Sequence, residues 1–133
     1  MAGSKTDYME NLILNYLTGR AALTQLTLYM ALFTVPPTDA GGGTEVTGNA
    51  YARKALTYST HFATAAANGQ IANSADITFA VPTGGDWGNV TAVGIFDAAS
   101  AGNLLLWSVI PVKQIKAGDS VVFPAGSVVL SED

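Results

Sequence analysis

The chain has 133 residues, 49% hydrophobic and 12% charged, with six Lys and Arg against ten Asp and Glu and a net charge of −4. That is one domain's worth of chain, too apolar for intrinsic disorder and long enough to bury a core without a staple. No cysteine and one histidine, His61, exclude thiol, iron–sulfur and multi-histidine metal sites, while the acidic balance argues against nucleic acid and no apolar run approaches the ~20 residues of a membrane span.

The opening residues are polar and short, without the apolar core of a signal peptide, so the chain is expected to be made in the cytoplasm and to leave it, if at all, by assembly or lysis. The first element is a helix from Tyr8 to Thr18. Met9, Leu12, Ile13 and Tyr16 recur at helical spacing on one face. Asp7 is the expected N-cap, with Glu10 three residues on as in a capping box, and Gly19 the expected stop. The apolar stripe is expected to cover a sheet of its own chain or to pack on a neighbouring subunit.

Leu26–Phe33 follows, apolar on both alternating faces and ended by Pro36-Pro37, the pattern of a central strand covered on two sides. Pro36 to Asn49 is a loop containing Gly41-Gly42-Gly43. Tyr51 to Phe62 reads as a strand, Asn68-Gly69 as a turn, and Ile71 as a brief pairing point. Ala75 to Val81 alternates cleanly, with Ile77, Phe79 and Val81 on one face, so it has one wet side. Val90–Asp97 and Leu104–Val112 form a hairpin across Ala99–Asn103, with Gly102 free to take positive φ. Val121–Phe123 and Ser127–Leu130 end the chain. About seven short strands with turn signals between them predict an all-β antiparallel sandwich with one N-terminal helix, a single domain over residues 1–133. The expected core is Leu28, Met30, Leu32, Phe79, Ile95, Leu105, Trp107 and Val109.

Nothing in the pattern assembles a reaction centre. Gly41-Gly42-Gly43 lacks the Gly-Lys-Ser/Thr ending of a phosphate loop and reads as a turn. His61 has neither a nucleophile elbow nor an orienting carboxylate in motif spacing, so a hydrogen-bonded histidine is expected. Asp76, Asp86, Asp97 and Asp119 sit at strand ends, where turn chemistry alone places aspartates. A glycosidase pair or a calcium site would need them to converge. Asn89-Val90-Thr91 matches a glycosylation sequon by chance. The expectation is a non-enzyme with no catalytic, metal or cofactor residues. Trp87, between Asp86 and Gly88, is either an interface anchor or a plug at the end of the sandwich. The tyrosines with Trp87 would serve a carbohydrate-binding module if they shared an open face.

Ordered segments run through the chain: Tyr8-Met9-Glu10-Asn11-Leu12-Ile13-Leu14, Leu28-Tyr29-Met30-Ala31-Leu32-Phe33-Thr34, Pro37-Thr38-Asp39-Ala40-Gly41-Gly42-Gly43-Thr44-Glu45-Val46 and Tyr51-Ala52-Arg53. They continue with Asn73-Ser74-Ala75-Asp76-Ile77-Thr78-Phe79, Asp86-Trp87-Gly88-Asn89-Val90-Thr91, Gly94-Ile95-Phe96-Asp97, Gly102-Asn103-Leu104-Leu105 and Lys116-Ala117-Gly118-Asp119. Together they resemble a family of short tailed-bacteriophage virion proteins, commonly labelled tail-fibre proteins, some of which are head or neck decoration components. The resemblance implies a β-sandwich virion component without catalysis, whose partners are other virion proteins of capsid, neck or tail. The chain is compact rather than long and repetitive, which favours a decoration, collar or accessory role over a fibre shaft. The low charge suits burial against other subunits, and a symmetric homo-oligomer, a trimer, is expected. The expected contact residues are Thr38, Asp39, Thr44 and Tyr51 from the glycine-rich loop, expected to be mobile when free, Trp87 as anchor, and the helix face Met9, Leu12, Ile13 and Tyr16.

Overall fold

The computed structural model describes residues 4–132. Its ten strands and two helices run β1 (Ser4–Lys5), α1 (Asp7–Leu17), β2 (Leu28–Val35), β3 (Thr44–Glu45), β4 (Lys54–Leu56), α2 (Tyr58–His61), β5 (Gln70–Ala72), β6 (Ile77–Thr78), β7 (Gly88–Phe96), β8 (Leu104–Ile115), β9 (Val122–Phe123) and β10 (Val129–Ser131). The main sheet is antiparallel in the order β1-β8-β7-β2-β3, with β4 also on β2; β5–β10 and β6–β9 form two small ribbons. The all-β sandwich with one main helix is therefore the observed architecture.

The two-faced apolar run of β2 puts it at the centre. Met30 and Leu32 pair opposite Ile95 and Val93 on one face, and Ala31 and Phe33 opposite Gly94 and Ala92 on the other. The first face meets the ribbons, and Met30, Leu32, Val93, Ile95 and Leu105 bury against Ile77, Phe79, Val121 and Val128. Burial of this kind is worth about 1.5–3 kcal/mol per large side chain, so this layer holds the fold. The second face carries Ala31, Phe33, Ala92 and Leu104, flanked by Phe96 and Trp107. Here the Phe33 and Phe96 rings stack with centroids 6.1 Å apart. Gly94 lies beneath them because a Cβ there would come within 2.7 Å of Leu104 Cδ1 and 2.9 Å of Phe33 Cε2.

The segment between β2 and β3 runs along the second face as a strap. It is tied down rather than loose: Asp39 Oδ1 accepts from the Trp107 indole at 3.0 Å, the Asp39 carbonyl accepts from Asp7 N at 2.9 Å, and Thr38 and Gly41 bond each other's backbone. The expectation of a free loop gives way to these anchors.

Several local readings need correction. The N-cap of α1 is Thr6, not Asp7: the Thr6 hydroxyl accepts from Met9 N at 3.3 Å and donates to the Leu104 carbonyl at 2.6 Å. Asp7 instead opens the first turn, where its charge still favours the helix dipole. The stop is as read: Gly19 adopts φ +76°, and the N–H groups of Gly19 and Arg20 return to the Tyr16 and Asn15 carbonyls. The long strand Tyr51–Phe62 is only Lys54–Leu56 followed by one helical turn. Thr57 and His61 close that turn, with Thr57 N donating to His61 Nδ1 at 3.0 Å and His61 N to the Thr57 carbonyl at 2.8 Å. Ala75–Val81 shortens to Ile77–Thr78; the alternation holds for Ile77 and Phe79, which are buried, and breaks at Val81, which is 46% exposed. Of the expected core, Leu28 is half-buried, Trp107 is a rim residue whose indole needs Asp39, and Val109 is 60% exposed. Val109 stands in β8 opposite Ala92, on the rim of the second face.

Candidate docking surfaces

The expected contact residues fall into three groups. Trp87 and Tyr51 belong to the core layer. Trp87 is 5% exposed, its indole donates to the Asn49 carbonyl at 3.0 Å, and its ring meets Tyr51 edge-on with centroids 5.3 Å apart. It is the plug, and the anchor reading falls. The contact also holds Asn49 and Ala50 at φ +53° and +68°, a left-handed conformation that costs a non-glycine residue about 1–2 kcal/mol. Tyr51 stacks on Phe79, donates its hydroxyl proton to Glu45 Oε2 at 2.8 Å and accepts from Leu32 N at 3.0 Å. Burial pushes its phenol pKa far above the usual tyrosine range, the Glu45 carboxylate adding to the rise against the Leu32 N–H and the Arg53 charge. With these rings inside, the carbohydrate-module reading loses the open face it needed.

Thr38, Asp39 and Thr44 are exposed on the strap and β3. Thr38 Oγ1 donates to the Gly41 carbonyl at 3.0 Å, and the Thr44 carbonyl accepts from Thr34 Oγ1 at 3.3 Å. Asp39 and Gly41 border a shallow polar hollow of about 380 Å³ with Thr6, Tyr8 and Asn103. These residues hold the strap's shape and present its edge.

The third group is α1. Met9, Leu12 and Ile13 are half-buried, Met9 against the main core, and Tyr16 is 54% exposed. The helix thus packs its stripe within its own subunit, but thinly: none of its eleven residues is fully buried. Leu14 at 57% and Leu17 at 70% point outward, and Leu23 in the following segment is exposed as well. Between the helix, that segment and the sheet runs an apolar groove of about 540 Å³ lined by Met9, Leu23, Leu26, Leu28, Leu106 and Leu130. An exposed apolar run of this kind is what an assembly surface looks like.

One cluster escaped the sequence reading. The Arg53 side chain is 7% exposed and uses its whole fork: Nε and Nη2 on the Glu45 carboxylate at 2.9 and 2.8 Å, Nη1 on the Ala98 and Ala101 carbonyls at 2.9 and 2.8 Å. The guanidinium lies 3.5 Å over the Phe96 ring. It joins β3, the entry to β4 and the β7–β8 turn. In that turn Asp97 accepts from Asn103 N at 2.7 Å and from its side-chain amide at 3.0 Å. The signal was one of only two arginines, set beside apolar strand residues.

The candidate acids do not converge on a cleft. Asp76, Asp86 and Asp119 each accept from a backbone N–H of a turn, at Ala125, Ala117 and Lys116, as Asp97 does at Asn103. His61 is buried with Nδ1 occupied by Thr57.

The family model for podophage GP4 fiber I protein gp80 matches residues 4–131. The chain belongs to this family. It is a bacteriophage fibre protein, a component of the virion. The match spans every element from β1 to β10, so the sandwich, the strap and α1 are all parts of the family domain. No curated protein matches the chain, and no helix among the described residues is long and apolar enough to cross a membrane.

Proposed function

We propose that this fibre protein is a non-enzymatic structural component that docks on the phage particle as a decoration, collar or tail accessory, using the outer face of α1 as its main contact. The observation that carries the reading is a helix held by Met9, Leu12 and Ile13 while Leu14, Tyr16 and Leu17 remain in water. Exposing two leucines forgoes about 1.5–3 kcal/mol each relative to burial, a gain that contact with another virion subunit would recover. The strap residues Thr38, Asp39 and Thr44 add a polar rim, the usual border of such a contact. The turn duties of the four aspartates support the non-enzymatic part. Many copies on one particle gain by multivalency, since each further contact is effectively intramolecular.

The test is reconstitution. Virions lacking the protein are mixed with the purified chain, and bound copies are located by electron microscopy. Ordered density on head, neck or tail assigns the role; a Leu14→Lys, Leu17→Lys variant should leave the particle bare. Equal binding of variant and parent would remove α1 from the contact.

A further inference from the structure

The strand pattern of the sequence begins before the sheet does. The alternating apolar run starts at Leu26, yet β2 pairs only from Leu28, opposite Leu56 of β4, and from Tyr29, opposite Phe96 of β7. Residues 22–27 lead into β2 without a turn or bend, and all but Leu26 are exposed. Among the described residues none of these six makes a hydrogen bond, by backbone or by side chain. β4 ends at Leu56 and the chain turns into α2, so the space beside residues 25–28 is an open hollow of about 440 Å³. Leu26, Leu28, Leu56 and Phe62 line it together with Tyr58, which is 71% exposed.

The other edges of the main sheet are guarded. β1, β3 and β4 are two or three residues long, and short edges offer little to a foreign strand. β8 runs on past β1, but there it carries Pro111, Lys113 and a register shift against Val90 and Ala92, the devices that keep an edge from pairing. Residues 22–27, Ala-Leu-Thr-Gln-Leu-Thr, have none of them. We infer that this segment is an acceptor edge for an extended strand contributed by the virion subunit on which the protein docks, laid beside it in the hollow next to β4. An unpaired backbone is matched by another backbone, which is what strand addition supplies. The chemistry of the incoming strand follows from the walls. No charged side chain stands between Arg20 and Asp39 or lines the hollow, and a charge buried there would find no partner. The strand is therefore uncharged, with apolar residues at alternate positions to meet Leu26, Leu56 and Phe62. The segment follows α1 directly, and Leu17 and Leu23, on either side of the Gly19 stop, are both exposed. Helix and strand edge thus form consecutive parts of one contact.

The pairing has a direction. Leu32 turns both its carbonyl and its N–H to the β3–β4 side, where they meet Val46 N and the Tyr51 hydroxyl, each at 3.0 Å. Backbone groups alternate in direction along a strand, so Leu26 and Thr24 face the β4 side when the incoming strand pairs, and Leu23 and Gln25 face away.

This inference rests on the docking role and names what the partner offers. The test uses the full-length chain and virions lacking it. Backbone hydrogen exchange of residues 23–27 should be fast in the free chain and slow at least about tenfold on the particle. Thr24→Pro removes an N–H on the β4 side and should weaken binding at least about tenfold, whereas Gln25→Pro removes one that faces away and should stay within about threefold of the parent. Both positions are exposed and unbonded, so both variants should keep the thermal midpoint within a degree or two. Equal binding of Thr24→Pro and parent overturns the inference, as does exchange that stays fast on the particle, or an equal loss in both proline variants. Loss of binding in the Leu14→Lys, Leu17→Lys variant but not in Thr24→Pro removes the strand and leaves α1 as the docking face; the reverse removes α1 and leaves the strand. Virions that bind no parent chain overturn both. Protection of residues 22–27 in the purified chain at rising concentration, with a doubled mass, would give the edge to a second copy instead and overturn the inference.

Discussion

Arg53→Ala removes the residue that joins three segments of the second face. The loss comprises the two-point contact with Glu45, the bonds to the Ala98 and Ala101 carbonyls, and the cover over Phe96. Removing one partner of a buried ion pair costs about 3–5 kcal/mol, because the other charge is left behind without compensation. Glu45 is 22% exposed and keeps the Tyr51 hydroxyl, so water and one hydrogen bond soften the loss toward about 3 kcal/mol. For a chain of this size that lowers the thermal midpoint by roughly 10 °C. Arg53→Lys should recover less than half, since an ammonium cannot hold the carboxylate and both carbonyls in one plane. Removing the charge at Glu45 as well should relieve part of the cost, so that Arg53→Ala with Glu45→Gln is less destabilised than the sum of the two singles by at least ~1 kcal/mol. Urea denaturation of the parent, the three single variants and the double variant, with the slope checked for constancy, gives these numbers. A loss under ~1 kcal/mol for Arg53→Ala, or strict additivity, would refute the view that the cluster is a buried joint.

Three further outcomes follow from the same geometry. Gly94→Ala forces a methyl into Leu104 and Phe33 and should cost about 1–3 kcal/mol by urea denaturation, with the Phe33–Phe96 stack disturbed in an aromatic nuclear-magnetic-resonance spectrum. Burial raises the Asp97 carboxyl pKa, but the Asn103 bonds, its own backbone N–H and the Arg53 charge together outweigh that and hold it below the ordinary value. Its contribution is therefore full above about pH 4 and is lost as pH falls through the lowered value, so Asp97→Asn should flatten the acid limb of the stability curve. Tyr51 is raised instead, so its contribution is full below about pH 10 and is lost as pH rises beyond it; Tyr51→Phe should remove that alkaline loss.

The sheet core was legible because period-two patterning and burial report the same thing. Leu26–Phe33 reads apolar on both faces, and its Leu28–Phe33 part lies in β2 at the centre of the sheet, while Ile77 and Phe79 alternate inward as their neighbours predict. The helix, too, was visible in its spacing and its Gly19 stop. What failed depends on contacts between residues far apart in sequence. Trp87 sits in a Gly-flanked polar turn, yet its socket is the backbone of Asn49, thirty-eight positions away. Val109 belongs to a strand of core composition but stands 60% exposed opposite Ala92, and hydrophobicity does not encode which positions of a sheet face are covered. Thr6 became the cap because it could also bond to Leu104, ninety-eight residues along the chain. Arg53 was missed for the same reason: its partners are spread over β3 and the β7–β8 turn, and no local spacing joins them. The helix face showed the opposite pattern. Its inward stripe holds for Met9, Leu12 and Ile13 but not for Tyr16, which is 54% exposed, and the outward Leu14 and Leu17 went unread, because amphipathic spacing finds one buried face and does not look for a second.

The most direct measurement is electron microscopy of virions lacking this protein after addition of the parent chain or of the Leu14→Lys, Leu17→Lys variant. If α1 is the assembly face, the parent gives ordered density attached through the helix and the variant, equally folded, gives none. Density of equal occupancy with the variant, or attachment through another face with α1 left in solvent, would contradict the assembly role.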